Sequence, residues 1–152
     1  MSNRSKLPPR LRLVCIAAAG LIATGQGAVA GPQEIAVVEH ASTDAVTDTG
    51  AAGDSAGDIL TFANEVFDAD DKNKVGTDQG VCFRVPPGKA WECFWTISLG
   101  KGQITVGPFL DSGDSVLAIT GGTGAFAGAT GDMLLSARGT DGKAYNFTYR
   151  IK

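Results

Sequence analysis

Along this chain, apolar side chains recur at every second position in short stretches. Residues 59–67 set Leu60, Phe62, Asn64 and Val66 against Ile59, Thr61 and Ala63, an apolar face carrying one amide. Residues 91–99 set Trp91, Cys93, Trp95 and Ile97 against Glu92, Thr96 and Ser98, and residues 145–151 set Tyr145, Phe147 and Tyr149 against Asn146, Thr148 and Arg150. A period of two is the signature of a β-strand with one buried face. Shorter runs at 35–38, 80–85, 103–106, 115–120 and 133–137 bring the total to about eight strands, separated by turn formers every eight to twelve residues. No helical period of useful length interrupts them. The pattern predicts an all-β fold, an antiparallel barrel or sandwich, and an eight-stranded barrel has room for one small ligand.

The connections add detail. Pro86-Pro87-Gly88-Lys89 reads as a hairpin turn. Centring the hairpin there places Arg84 opposite Trp91 and Cys82 opposite Cys93, close enough for a cross-strand disulfide. Residues 42–57 are small, acidic and rich in turn formers, which predicts a long mobile loop, and residues 68–79 read as a charged connection. The run 121–128 (GGTGAFAG) imitates a dinucleotide-binding loop, but a new strand pattern follows where a helix is needed. A glycine-rich corner between strands is the expectation there.

Composition narrows the class. The 21 glycines among 152 residues are about twice average usage, and charged residues make up only 19%. These values exclude a helical bundle, and the length excludes a two-domain enzyme. Residues 1–30 form a basic start (Arg4, Lys6, Arg10, Arg12), an apolar run over 13–24, and Ala28-Val29-Ala30. That is the layout of a secretory signal peptide, and the run is shorter than the roughly 20 residues a membrane span needs. Cleavage leaves 9 basic against 16 acidic residues, a formal charge of −7. The expected location is secreted or periplasmic. Nucleic acid and, after cleavage, membrane surfaces are excluded as partners by that charge. The surviving pair, Cys82 and Cys93, reads first as a disulfide in an exported chain. The expected organisation is a signal peptide over 1–30, a flexible segment with the first strand over 31–57, and a barrel over 58–152.

Candidate chemistry is sparse. Residues 68–79 fail as a calcium loop, because Asn73 stands where glycine belongs and Gln79 where glutamate belongs. His40 is the only histidine, so neither a zinc cluster nor a histidine-based triad is expected, and no cofactor or metal. Asn64 and Cys82 remain. Each is either a structural core group or a polar group presented to a ligand.

Four blocks, 57–64 (GDILTFAN), 75–82 (VGTDQGVC), 102–109 (GQITVGPF) and 117–126 (LAITGGTGAF), resemble the plant allene oxide cyclases and, more loosely, the dirigent proteins. The resemblance implies an eight-stranded antiparallel barrel around a ligand cavity, assembled as a homotrimer and without a cofactor. It implies an enzyme of the isomerase or cyclase kind acting on a small apolar, reactive molecule. A non-catalytic dirigent-like or carrier barrel is the alternative. Asn64 and Cys82 match the family's pocket asparagine and cysteine, and Glu39 is the candidate for its first-strand glutamate, in a register the pattern does not fix. Phe62, Phe109, Trp91 and Trp95 are expected to shape the pocket. Phe109 stands where the family has a tyrosine.

Overall fold

The alternation becomes ten β-strands in a computed structural model that describes residues 32–108, 110, 111 and 113–152. The signal expected over 1–30 and the pocket residue Phe109 lie outside the described residues. The strands are β1 (Gln33–His40), β2 (Ala45–Thr47), β3 (Ile59–Asp68), β4 (Lys74–Arg84), β5 (Trp91–Leu99), β6 (Gly102–Val106), β7 (Leu110–Asp111), β8 (Ser115–Gly122), β9 (Gly131–Ala137) and β10 (Ala144–Ile151). Eight of them hydrogen-bond in the order β1, β10, β9, β8, β6, β5, β4 and β3, and β1 pairs again with β3. That last pairing closes an eight-stranded antiparallel barrel. Short β2 continues along the edge of β3 that β1 leaves, and β7 continues along the edge of β5 that β6 leaves.

The predicted hairpin has its predicted register: Arg84 opposes Trp91, and Cys82 opposes Cys93, to which it is disulfide-bonded. The charged connection is shorter than predicted, because β4 begins at Lys74. The Asp68 carboxylate closes the turn by accepting from the Lys72 amide at 2.9 Å and the Asn73 side chain at 2.6 Å. The first half of β4 hid from the pattern because its inward positions are Gly76, Asp78 and Gly80, none of them apolar. The loop over 42–57 is also more ordered than predicted. Val46 in β2 opposes Leu60, and Asp58 accepts from the Thr49 and Ser55 amides at 3.1 and 2.8 Å. The glycine corner holds a single turn at Gly124–Phe126; Gly124 has φ +61°, and a Cβ there would meet the Lys101 carbonyl oxygen at 2.5 Å.

Inward side chains fill most of the barrel. Val66, Ile97, Ile104, Val106, Leu117, Met133 and Tyr149 are fully buried. Burying each such group stabilises the fold by about 1.5–3 kcal/mol. The packing leaves one hollow at the mouth where β1, β4 and β9 end and β3, β5 and β10 begin, and an apolar cleft at the opposite end, bordered by Ile35, Val37, Leu99 and Phe126.

Candidate functional site

The hollow is a partly open recess of about 150 Å³. Phe62, Trp95, Tyr145 and Phe147 supply its rings, and Glu39 and Asp44 its carboxyls. The rings and Glu39 reach it by strand parity, and Asp44 from the loop after β1. Ile35, Val37 and Glu39 share the inner face of β1, and the pairings of β1 with both β10 and β3 fix that register, with Glu39 opposite Tyr145 on one side and Val66 on the other. Inward Gly80 makes room for the rings, since a Cβ on it would lie 2.4 Å from Trp95 Cβ and 2.6 Å from Phe62 Cζ. Phe62 and Trp95 meet edge to face at 6.1 Å, and Trp95 and Phe147 lie 5.7 Å apart.

Asn64 is the hub. Its amide nitrogen donates to Glu39 Oε1 at 2.7 Å and to Asp44 Oδ1 at 2.8 Å. Its oxygen accepts from the Ser42 amide at 3.1 Å, the Thr43 amide at 3.0 Å and the Thr43 hydroxyl at 2.9 Å. Two carboxylates need the NH2 and three donors need the oxygen, so the amide has one orientation. Asn64 thereby ties the loop after β1 across the mouth and aims Glu39 into the recess.

Behind Glu39 stands Asp78, opposite Asn64 in the β3–β4 register. It is 1% exposed, and neither carboxyl oxygen has a partner at full hydrogen-bond geometry among the described residues. The two carboxyls are nonetheless near enough to perturb each other's proton affinity. Burial first raises Glu39, the Asn64 hydrogen bond opposes that, and the Asp44 charge adds to it, leaving Glu39 pushed up to about 7. Burial and then the Glu39 charge push Asp78 up to about 8. Two acids that cannot both ionise retain a proton between them near neutral pH, which suits them to give or take one there. The phenol of Tyr149, raised by burial and then by the Asp78 charge, stays protonated. Tyr145 is raised by burial and by the charges of Asp44 and Glu39.

The residues singled out from sequence distribute unevenly. Glu39, Asn64, Phe62 and Trp95 converge on the mouth. Cys82 lines the recess, but as half of a disulfide with Cys93. The expectation of a catalytic thiol at Cys82 is therefore corrected: its sulfur is spent in a covalent bond. Trp91 is corrected too. It lies outside the recess, and the Arg84 guanidinium covers its ring at 4.1 Å. Asp78, Asp44, Tyr145 and Phe147 went unassigned. Counting back by twos from Cys82 reaches Asp78, so the signal existed in β4 once its true length is known. No group of three His, Cys, Asp or Glu among the described residues is placed to hold a metal ion.

A sequence profile described as allene oxide cyclase matches residues 32–145. Among solved structures, pyocyanin demethylase is 28% identical, with 76% of this chain and 98% of that chain covered and a TM-score of 0.66. A pterocarpan synthase dirigent protein is 14% identical, with 79% and 92% covered and a TM-score of 0.64. An exo-specific intermolecular Diels-Alderase is 14% identical, with 80% and 98% covered and a TM-score of 0.59. The last two are likenesses of fold alone.

Proposed function

Because the chain belongs to the allene oxide cyclase family, we propose that it is an exported enzyme that isomerises or cyclises a small, reactive, mostly apolar molecule at the barrel mouth. The observation that carries this reading is Glu39: a buried carboxyl that faces an aromatic-walled recess, keeps its proton near neutral pH, and is backed by a second such acid in Asp78. In the proposed reaction Glu39 gives its proton to the oxygen of a strained carbon–oxygen bond. That bond breaks, the cation closes a new bond within the same molecule, and the proton lost from the product returns to Glu39. Atoms balance as an isomerisation. The rings hold the reactant in the shape that closes, a contribution of up to about 7–11 kcal/mol in favourable cases.

The volume limits the substrate. About 150 Å³ is the space that holds a single benzene-sized ring in a dry protein cavity. A long acyl chain does not fit inside, so the proposed substrate is compact. The likeness to pyocyanin demethylase supports a small-molecule enzyme over a scaffold.

A non-catalytic steering or carrier barrel is the second reading. It is favoured by the disulfide, which leaves neither Cys82 nor Cys93 a free thiol in the wall. Mixing the purified mature protein with compact unsaturated epoxides separates the two. Catalysis predicts an accelerated, stereochemically biased product with the protein but not with Glu39→Gln. Unchanged rate and product ratio would leave only the carrier.

Export is proposed from the leader pattern and the disulfide, and amino-terminal sequencing of periplasmic material is expected to begin at Gly31. The homotrimer also belongs to the proposal. Phe83 and Phe94, 42% and 44% exposed on the outer faces of β4 and β5, offer a surface for it, and light scattering reads the mass.

A further inference from the structure

We infer that the recess selects a cation, a small flat aromatic ring system carrying a positive charge. This rests on the reading of Glu39 as the carboxyl that faces the ligand, and it names the ligand's charge, which that reading leaves open.

Three observations carry it. The polar side chains lining the recess are acids and a phenol: Glu39, Asp44 and Tyr145. No lysine, arginine or histidine lines it among the described residues. Carboxyls also occur together on solvated surfaces, so the second observation matters more. These border a walled hollow, and Asp78 behind them is 1% exposed with no cation among the groups that act on it. That is an unbalanced acidic site inside a protein, where an added cation gains far more than it would in water. Third, the walls are the faces and edges of Phe62, Trp95, Tyr145 and Phe147. Aromatic rings attract a cation held over them, by about 0.5–2 kcal/mol each. A neutral ligand uses the rings and wastes the carboxyls. An anion is repelled by them.

The same geometry couples binding to protons. The groups around Glu39 are Asp44 from the loop, Asp78 from β4, Tyr145 and Tyr149 from β10, and His40 beside it on the outer side of β1. Burial and then the Asp44 charge oppose ionisation of Glu39, while hydrogen bonds from Asn64 and Asp78 and the charge of His40 favour it less strongly. A cation arriving in the recess reverses that balance and displaces the retained proton, to solvent when the ligand is inert and to the breaking carbon–oxygen bond when it is reactive. Binding must therefore tighten as pH rises, with a proton released.

Three single-ring probes of one shape test this: N-methylpyridinium (positive), toluene (neutral) and benzoate (negative). Calorimetry on the mature protein at about pH 8 is expected to show the cation bound at least about tenfold more tightly than the neutral probe, with the anion weakest. Its affinity is expected to fall several-fold at about pH 6, and the observed heat to change with buffer in the manner of proton release. In Glu39→Gln the preference for the cation is expected to shrink to about threefold or less. Asp44→Asn, at the loop, gives the same readout should the Gln variant fail to fold. Equal or tighter binding of the neutral or negative probe, no binding of the cation, or no release of a proton overturns the inference. Cation binding with no turnover of any epoxide leaves it standing and removes the catalytic reading. Turnover of neutral substrates with no affinity for the cation does the reverse.

Discussion

The amide nitrogen of Asn64 donates to Glu39 Oε1 at 2.7 Å, while the oxygen of the same amide holds Ser42 and Thr43 across the mouth. One side chain thus joins the loop that covers the recess to the acid inside it. Any loss of the loop's hold on Asn64 therefore loosens the hold on Glu39 as well.

Replacing Asn64 by Ala removes five hydrogen bonds and leaves Glu39 buried without its donor. A stability loss of about 2–4 kcal/mol in urea titration is expected. Hydrogen exchange at the Ser42 and Thr43 amides is expected to quicken far more than exchange in β5 and β6. Uniform quickening across the barrel would mean that Asn64 is only a core residue and not a latch.

Stability is expected to fall as pH rises. Glu39 and Asp78 hold their protons more tightly folded than unfolded, so the folded state binds more protons between the ordinary carboxylate range, about 4, and the folded values near 7 and 8. Below that window both states are protonated and the pair costs nothing. Above it the cost is complete and on the order of a few kcal/mol. Asp78→Asn removes much of the slope. Comparing its urea midpoint with that of the parent at about pH 5 and about pH 8 isolates the pair, since every other titrating group is shared. The variant is expected to gain relative to the parent at the higher pH, and a constant difference would contradict the assignment.

The Cys82–Cys93 bond closes a hairpin with a sequence separation of 11. A loop of that size is worth about 2–4 kcal/mol through the unfolded chain. Adding reductant, or making the Cys82→Ala/Cys93→Ala pair, is expected to lower Tm by several degrees. The parent and the double variant should then melt together under reductant; if reductant shifts the variant as well, the effect is not the disulfide's.

The barrel was legible because its strands alternate, and the hairpin because a proline–glycine turn between two cysteines admits one simple register. Glu39, Asn64, Phe62 and Trp95 were legible as inward positions on such strands or through the family likeness. Asp78 was not. An acid between two glycines looks like a loop, since nothing local says that Trp95 and Phe62 fill the space those glycines leave. Trp91 misled for the opposite reason. It has the parity of the pocket residues, but it sits one step beyond the mouth, where Arg84 covers it. The hold of Asn64 on Thr43 spans 21 residues of chain and has no periodic trace at all.

Carboxyl-detected carbon NMR across about pH 3–10 tests the paired acids most directly. Two side-chain carboxyl resonances are predicted to titrate well above pH 5, at about 7 and about 8, and Asp78→Asn is predicted to remove one of them. If every carboxyl of the folded protein loses its proton below about pH 5, the mouth holds no proton to give, and the proposed chemistry fails.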